Sequence, residues 1–279
     1  MHLFNLLRPK QWIKNAFVVA PLIFSKKFTN TESIEAVSIV FLLFCLGASA
    51  VYILNDLKDI EKDRLHPVKS KIRPLASGAV SPKVAKVTLV GLYALIGIFY
   101  TYFPNITLIV IIYVTLNVAY AFYLKHQPIL DIFTISAGFV LRVYAGVIAL
   151  NLTLSPWMFI TTLTLALYLA SAKRHQELLN SGDLARGVLS QYSINLLEKF
   201  MQTSSIGSIV FYSLFVALTR PELIPTIPFV LFGLFRFQYI VDIQGNGESP
   251  TDALIRDKTL LGCILLWVIV SAYLLIQPL

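Results

Sequence analysis

The chain has 279 residues, 57% of them hydrophobic and only 14% charged, with a mean hydropathy of +0.73. That composition excludes a soluble globule and describes a polytopic membrane protein. The net charge of +8 is no nucleic-acid signal, because the basic residues cluster in the loops between apolar runs, and no nucleic-acid partner is expected.

The first apolar stretch, LRPKQWIKNAFVVAPLIF from Leu7 to Phe24, has basic residues ahead of it, as a signal peptide would. It lacks an A-x-A cleavage site, and Trp12 and Lys14 have the character of interfacial anchors, so a retained transmembrane helix is expected. Later apolar runs predict spans near 33–56, 83–103, 105–123, 129–150, 156–178, 193–219, 223–241 and 259–277. That makes about nine helices in one domain over 1–279. Pro104-Asn105 divides one long run into two helices joined by a tight turn, and Pro156, Pro221, Pro225 and Pro228 mark other starts or breaks. Cys45 and Cys263 lie inside apolar runs and read as buried thiols with no disulfide framework.

Basic residues orient the bundle. Every Lys and Arg except Lys26, Lys27, Arg142 and Arg220 falls in the amino terminus or in alternate loops that share its side. By the positive-inside rule that side is cytoplasmic and the carboxyl terminus is outside. The carboxylates follow the same division, only Glu32, Glu35 and Glu222 being on the other side. Chemistry is therefore expected at the cytoplasmic face.

The most informative stretch runs from Tyr52 to Gly78, YILNDLKDIEKDRLHPVKSKIRPLASG. On a continuous helix Asp56, Asp59 and Asp63 fall within an arc of roughly 60°, with Asn55 beside them and Glu61 pointing away. Three converging carboxylates need a cation, and oxygen-only ligands suit Mg²⁺, which bridges carboxylates to substrate phosphates. Lys62, Arg64, Lys69, Lys71 and Arg73 follow at once, so metal and cations together point to a diphosphate leaving group.

Three further polar patches interrupt the apolar pattern. From Tyr120 to Gly146, Asp131 and Arg142 share a helix face with Thr134, Gly138, Ala145 and Ala149, a stripe of small residues that lets helices approach closely. Lys125 and Asp131 are expected at the cytoplasmic rim. Arg142 lies deeper, against a phosphate or carboxylate, or simply bracing its neighbours. In SAKRHQELLNSGDLARG, from Ser171 to Gly187, Lys173-Arg174 can seat a phosphate. Glu177 can ligate metal or orient Arg174, and His175 reads as an interfacial residue. The last patch holds Arg236, Tyr239, Asp242, Glu248, Arg256 and Asp257. Its Gly245-Asn246-Gly247 is a turn signal too weak for a phosphate loop.

Asn55-Asp56-x-x-Asp59-x-x-x-Asp63, followed by Arg73-Pro74-Leu75-x-Ser77-Gly78, resembles the first signature of the UbiA-type intramembrane prenyltransferase superfamily. The resemblance implies nine transmembrane helices around a central cavity, and Mg²⁺ that helps ionise a diphosphate. The second aspartate-rich signature of aromatic prenyltransferases is replaced here by Lys173-Arg174-His175-x-Glu177. With LRPKQWIKN at 7–15, LKHQPILD at 124–131 and GFVLRVYAG at 138–146, the chain is similar to a narrower branch, the decaprenyl-phosphate phosphoribosyltransferases. That branch implies phosphoribosyl pyrophosphate (PRPP) as donor and a polyprenyl phosphate as acceptor. It also implies a bacterial inner-membrane location and a product destined for arabinose-containing cell-wall or surface glycans.

On this resemblance Asp56, Asp59 and Asp63 hold Mg²⁺ and pyrophosphate, positioned with the help of Asn55. Lys69, Arg73, Lys125, Lys173 and Arg174 bind phosphates, and Asp131 and Glu177 orient cations or hold ribose hydroxyls. Lys14, Tyr120 and Arg142 complete the expected substrate-binding set. Prenyl transfer to an aromatic acceptor is the alternative reaction. A non-enzymatic transporter or lipid-binding protein is the third reading, and the nearly bare outward side counts against alternating access.

Overall fold

Proline and short polar caps start the helices where the apolar runs begin. Asn30, Ser81, Ser193 and Asp257 each accept a hydrogen bond from the backbone N–H three residues on, and Pro82 and Pro104 occupy first turns. The computed structural model describes residues 2–65, 69–181, 187–245 and 250–277, without the side chains of Lys69 and Ser181. Its long helices are α1 (Thr31–Lys58), α2 (Pro82–Tyr102), α3 (Pro104–Phe122), α4 (Leu130–Ala149), α5 (Pro156–Ser181), α6 (Ile194–Thr219), α7 (Ile227–Asp242) and α8 (Lys258–Ile276). No strand occurs among the described residues. These bounds lie close to the expected spans, and Pro104 opens α3 two residues after α2 ends.

Seven stretches are long and apolar enough to cross a membrane, α7 counting with the 3₁₀ turn from Pro221 that precedes it. Large apolar side chains such as Val87, Val90, Ile206, Phe235 and Ile269 are exposed on the bundle's outer surface, which is stable only against lipid. The protein is a multi-pass membrane protein. α5 is not among the seven, because Thr161, Thr162, Thr164 and its charged last turns dilute its apolar character.

The first segment departs from the α-helix expected there. Pro9–Val19 is a 3₁₀-helix that passes into a short α-helix at Ala20–Phe24. At ~2.0 Å and ~1.5 Å rise per residue respectively, this short segment reaches about 30 Å, the depth of a hydrocarbon core. Trp12 Nε1 donates to Ser49 Oγ at 3.1 Å, and Ser49 Oγ donates to Leu7 O at 2.9 Å, fastening the segment to α1. On its other flank the backbone of Val18 lies against Gly146 of α4, where any Cβ would collide with the Val18 carbonyl.

Two apolar cores flank the space where charge collects. One joins α1, α3 and α4 to the first segment around Phe44, Val110 and Tyr113; the other joins α5 to α8 around Tyr168, Met201 and Phe237. At the less charged end, Lys26 pairs with Glu222 at 2.9 Å, Lys27 Nζ donates to Leu150 O at 2.9 Å, and Arg220 Nε donates to Phe24 O at 2.8 Å. The few cations there fasten helix ends together. Cys45 and Cys263 are buried and free.

Candidate active site

The three aspartates do not share one continuous helix. α1 ends at Lys58, Asp59 caps it with φ −97° and ψ 12°, and a new turn runs over Ile60–Arg64. The break turns Asp59 away from the other two, so the single arc expected from helical spacing is corrected. Asp56 and Asp63 are buried, whereas the Asp59 side chain is 31% exposed and lies 3.7 Å from Lys125 Nζ. Arg73 joins the inner pair: its Nη1 contacts Asp63 Oδ2 and lies 3.2 Å from Asp56 Oδ1. Arg8 also pairs with Asp56 Oδ1. Asn55 is half-buried and its carbonyl accepts Asp59 N–H at 2.9 Å. Glu61 pairs with Arg64 at the surface.

Asp56 Oδ2 is buried with no hydrogen-bond partner. Leaving such an oxygen unmet costs about 1–3 kcal/mol, so a cation belongs beside it. Among the described residues no group of three or more His, Cys, Asp or Glu is arranged to hold a metal. The fit is therefore to a hard cation that takes one or two carboxylates and draws its other ligands from water and substrate phosphates, which is Mg²⁺ behaviour.

A cavity of about 870 Å³ opens beside this cluster. Arg8, Gln11 and Lys14 line it together: Gln11 and Lys14 stand one turn apart on the 3₁₀-helix, which has three residues per turn, and Arg8 precedes it as a left-handed cap. Tyr52, beneath the Arg8 guanidinium at 5.0 Å, and Arg73 continue the wall. Lys173, Glu177 and Asn180 line it from α5, and Gln244, Gly245, Asp252 and Arg256 from the stretch between α7 and α8. Lys14, Arg73, Lys173 and Glu177 were expected. Arg8, Gln11 and Tyr52 were not, although the three-residue spacing of Arg8 and Gln11 with Lys14 is visible in the sequence.

The other expected residues form a neighbouring network. Asp131 is fully buried; its Oδ2 accepts from Arg174 Nε at 2.7 Å and its Oδ1 from Tyr192 Oη at 2.6 Å. Arg174 also donates to Tyr120 Oη at 2.6 Å and to Glu177, which lies 3.7 Å from Lys173 Nζ. Arg174 is thus held by three partners, while Lys173 faces the cavity. Tyr192 Oη in turn accepts from Ile129 N at 2.5 Å, and Ile129 has a positive φ of 68°, a strained conformation for a β-branched residue. That turn carries Lys125, whose ammonium burial pushes below its usual range while Asp59 opposes the shift.

Arg142 lies apart from the cavity. Its Nε donates to Asn15 Oδ1 at 2.8 Å, Nη1 to Gly138 O at 2.8 Å and Nη2 to Tyr113 Oη at 2.9 Å, and its guanidinium sits 4.6 Å from the Tyr113 ring. It pairs with no carboxylate among the described residues and braces α3, α4 and the first segment. His175 is buried, 3.6 Å from Glu198, rather than interfacial, because α5 turns it towards α6. The Lys69 side chain lies outside the described residues.

The UbiA prenyltransferase family matches residues 18–251. The decaprenyl-phosphate phosphoribosyltransferase of Mycolicibacterium smegmatis is 32% identical over 95% of this chain and 90% of its own. The protein of the same name from Corynebacterium glutamicum is 34% identical over 94% and 83%. A UbiA homolog from Archaeoglobus fulgidus, solved with GPP and Mg²⁺, superposes with a TM-score of 0.75 over 99% of both chains at 17% identity. That likeness supports the fold.

Proposed function

The chain belongs to the UbiA prenyltransferase family, and from that premise we propose that it transfers 5-phosphoribosyl from PRPP to a decaprenyl-type polyprenyl phosphate and releases pyrophosphate. The observation that carries the reading is the charge of the cavity: Arg8, Lys14, Arg73, Lys173 and Arg256 outnumber Glu177, Asp252 and Asp257 on its wall, beside the Asp56–Asp63 pair that Arg73 joins. Such a wall suits a reaction between phosphorylated partners. A donor with phosphate at both ends and a phosphate acceptor would be repelled by a second carboxylate cluster.

Asp56 and Asp63 would hold Mg²⁺, with Asp59 at the mouth. Bound there, the ion offsets negative charge developing on the departing pyrophosphate. Arg73 and Arg8 exchange their carboxylate partners for diphosphate oxygens and stabilise the same charge. The acceptor oxygen is already anionic, so the step needs no general base, and no histidine is among the described residues of the cavity wall. The C1–O bond to pyrophosphate breaks as the acceptor oxygen bonds to C1. Tyr120, Tyr192 and Asp131 keep Arg174 and Glu177 in place beneath Lys173.

The first segment and the eight long helices together would make nine crossings, with the cavity and the amino terminus facing the cytoplasm of a bacterial inner membrane and the carboxyl terminus outside. The bias of basic residues and the supply of PRPP support that orientation. Purified protein given PRPP, Mg²⁺ and polyprenyl phosphate should release pyrophosphate in step with a phosphoribosylated lipid. Release that ignores the lipid would count against the transfer.

A further inference from the structure

We infer that the groove between α7 and α8 binds an anionic glycerophospholipid, with one acyl chain lying in the groove and the lipid phosphate at Lys258. The site is apart from the reaction cavity and does not depend on the phosphoribosyl reading. Its walls are Pro228, Phe229 and Phe232 of α7 and Gly262, Cys263 and Leu266 of α8, around a volume of about 500 Å³. Two contacts fix the register of these helices. Arg236 pairs with Asp257 at 2.8 Å, and Cys263 Sγ donates to Phe229 O at 3.3 Å. α8 therefore runs antiparallel to α7 and descends from the level of Arg236 to that of Phe229.

The upper end lies at the membrane surface. The Arg236 guanidinium sits 5.0 Å from the ring of exposed Tyr239, a cation and an aromatic of the kind that anchors at the interface. From Lys258 to Leu266 the helix descends about 12 Å, most of the ~15 Å of hydrocarbon in one leaflet. Phe232 and Leu266 are exposed, so the groove opens outward to the bilayer. An apolar groove of one leaflet's depth that starts at the interface matches a lipid chain. Charge then selects the head. Lys258 and Thr259 line the upper end and are exposed. Arg236 and Asp257 neutralise each other, whereas no ion pair holds Lys258 among the described residues. The Lys258 ammonium is thus left to donate to a lipid phosphate. A choline head would set a fixed cation beside it, and an anionic head would not.

A Cβ at Gly262 would meet no atom within 4 Å, so a larger side chain there fills the groove without pressing on either helix. Native mass spectrometry of the purified full-length protein, titrated with phosphatidylglycerol or phosphatidylcholine of equal chain length, reads the site. Wild-type protein should bind phosphatidylglycerol more tightly than phosphatidylcholine. Lys258→Gln should weaken phosphatidylglycerol about fivefold, the worth of one lysine beside an anionic lipid, and leave phosphatidylcholine unchanged. Lys258→Arg should keep the preference. Gly262→Leu should weaken both lipids while its lipid-free unfolding temperature stays near wild type. Equal wild-type affinity for the two lipids, or lipid binding by Gly262→Leu that matches wild type, overturns the inference. Gly262→Leu protein that loses polyprenyl phosphate but keeps phosphatidylglycerol overturns it in favour of the acceptor's tail. A wild-type dimer that Gly262→Leu abolishes, with phosphatidylglycerol binding intact, overturns it in favour of a second copy of the chain.

Discussion

Arg174 Nε donates to Asp131 Oδ2 at 2.7 Å, and both side chains are buried. The arginine that a tandem Lys-Arg suggested for phosphate binding is thereby committed to holding α5 against α4. Its neighbour Lys173, one position away on the helix, turns to the cavity instead. Two adjacent cations thus have different work, one in architecture and one at the substrate.

That division is measurable. Removing one partner of a buried pair typically costs about 3–5 kcal/mol, so Arg174→Gln and Asp131→Asn should both lower thermal stability in detergent sharply. Lys173→Gln should leave the unfolding temperature near wild type and raise KM for a phosphorylated substrate. Equal stability losses at 173 and 174 would undo the distinction.

The aspartates should behave as a unit of charge. Asp56→Asn, Asp59→Asn and Asp63→Asn are each expected to slow turnover by at least ~10²-fold, and chelation by EDTA should abolish activity until Mg²⁺ is restored. Glu61→Gln, on the exposed Glu61–Arg64 pair, should be mild. Full turnover after chelation would remove the metal from the mechanism.

Close approach of the first segment to α4 depends on Gly146, where a Cβ would strike the Val18 carbonyl. Gly146→Ala should push the 3₁₀ ladder off α4 and displace Lys14 with it. Reduced stability together with a higher KM is expected. A variant indistinguishable from wild type would mean that the ladder is not fixed from this side.

Orientation can be read by labelling. A cysteine at Asn151→Cys should react with an impermeant thiol reagent in intact cells, and one at Glu61→Cys should react only after lysis. Native Cys45 and Cys263 are buried and should give little background. The reverse pattern would put the cavity on the side away from PRPP.

Much of this architecture was legible in the chain because apolar runs and prolines encode spans directly: Pro82, Pro104 and Pro156 each open a helix at the expected place. The aspartate motif was legible as composition, but its geometry was not. A helical wheel assumes continuity, and the helix breaks at Asp59. The 3₁₀ form of Pro9–Val19 left a trace in the three-residue spacing of Gln11 and Lys14, which an assumed α-helical period conceals. Tyr192 was out of reach, since it meets the site only through tertiary packing from a stretch distant in sequence.

The central claim is that the donor is PRPP and the acceptor a polyprenyl phosphate. The most direct measurement supplies the purified protein with radiolabelled PRPP and polyprenyl phosphate in one vessel, and with a prenyl diphosphate and 4-hydroxybenzoate in another, both with Mg²⁺. The account predicts a labelled polyprenyl-phosphoryl-ribose 5-phosphate and one pyrophosphate per lipid in the first, and no prenylated aromatic in the second. A prenylated aromatic in the second vessel with PRPP untouched in the first would contradict it.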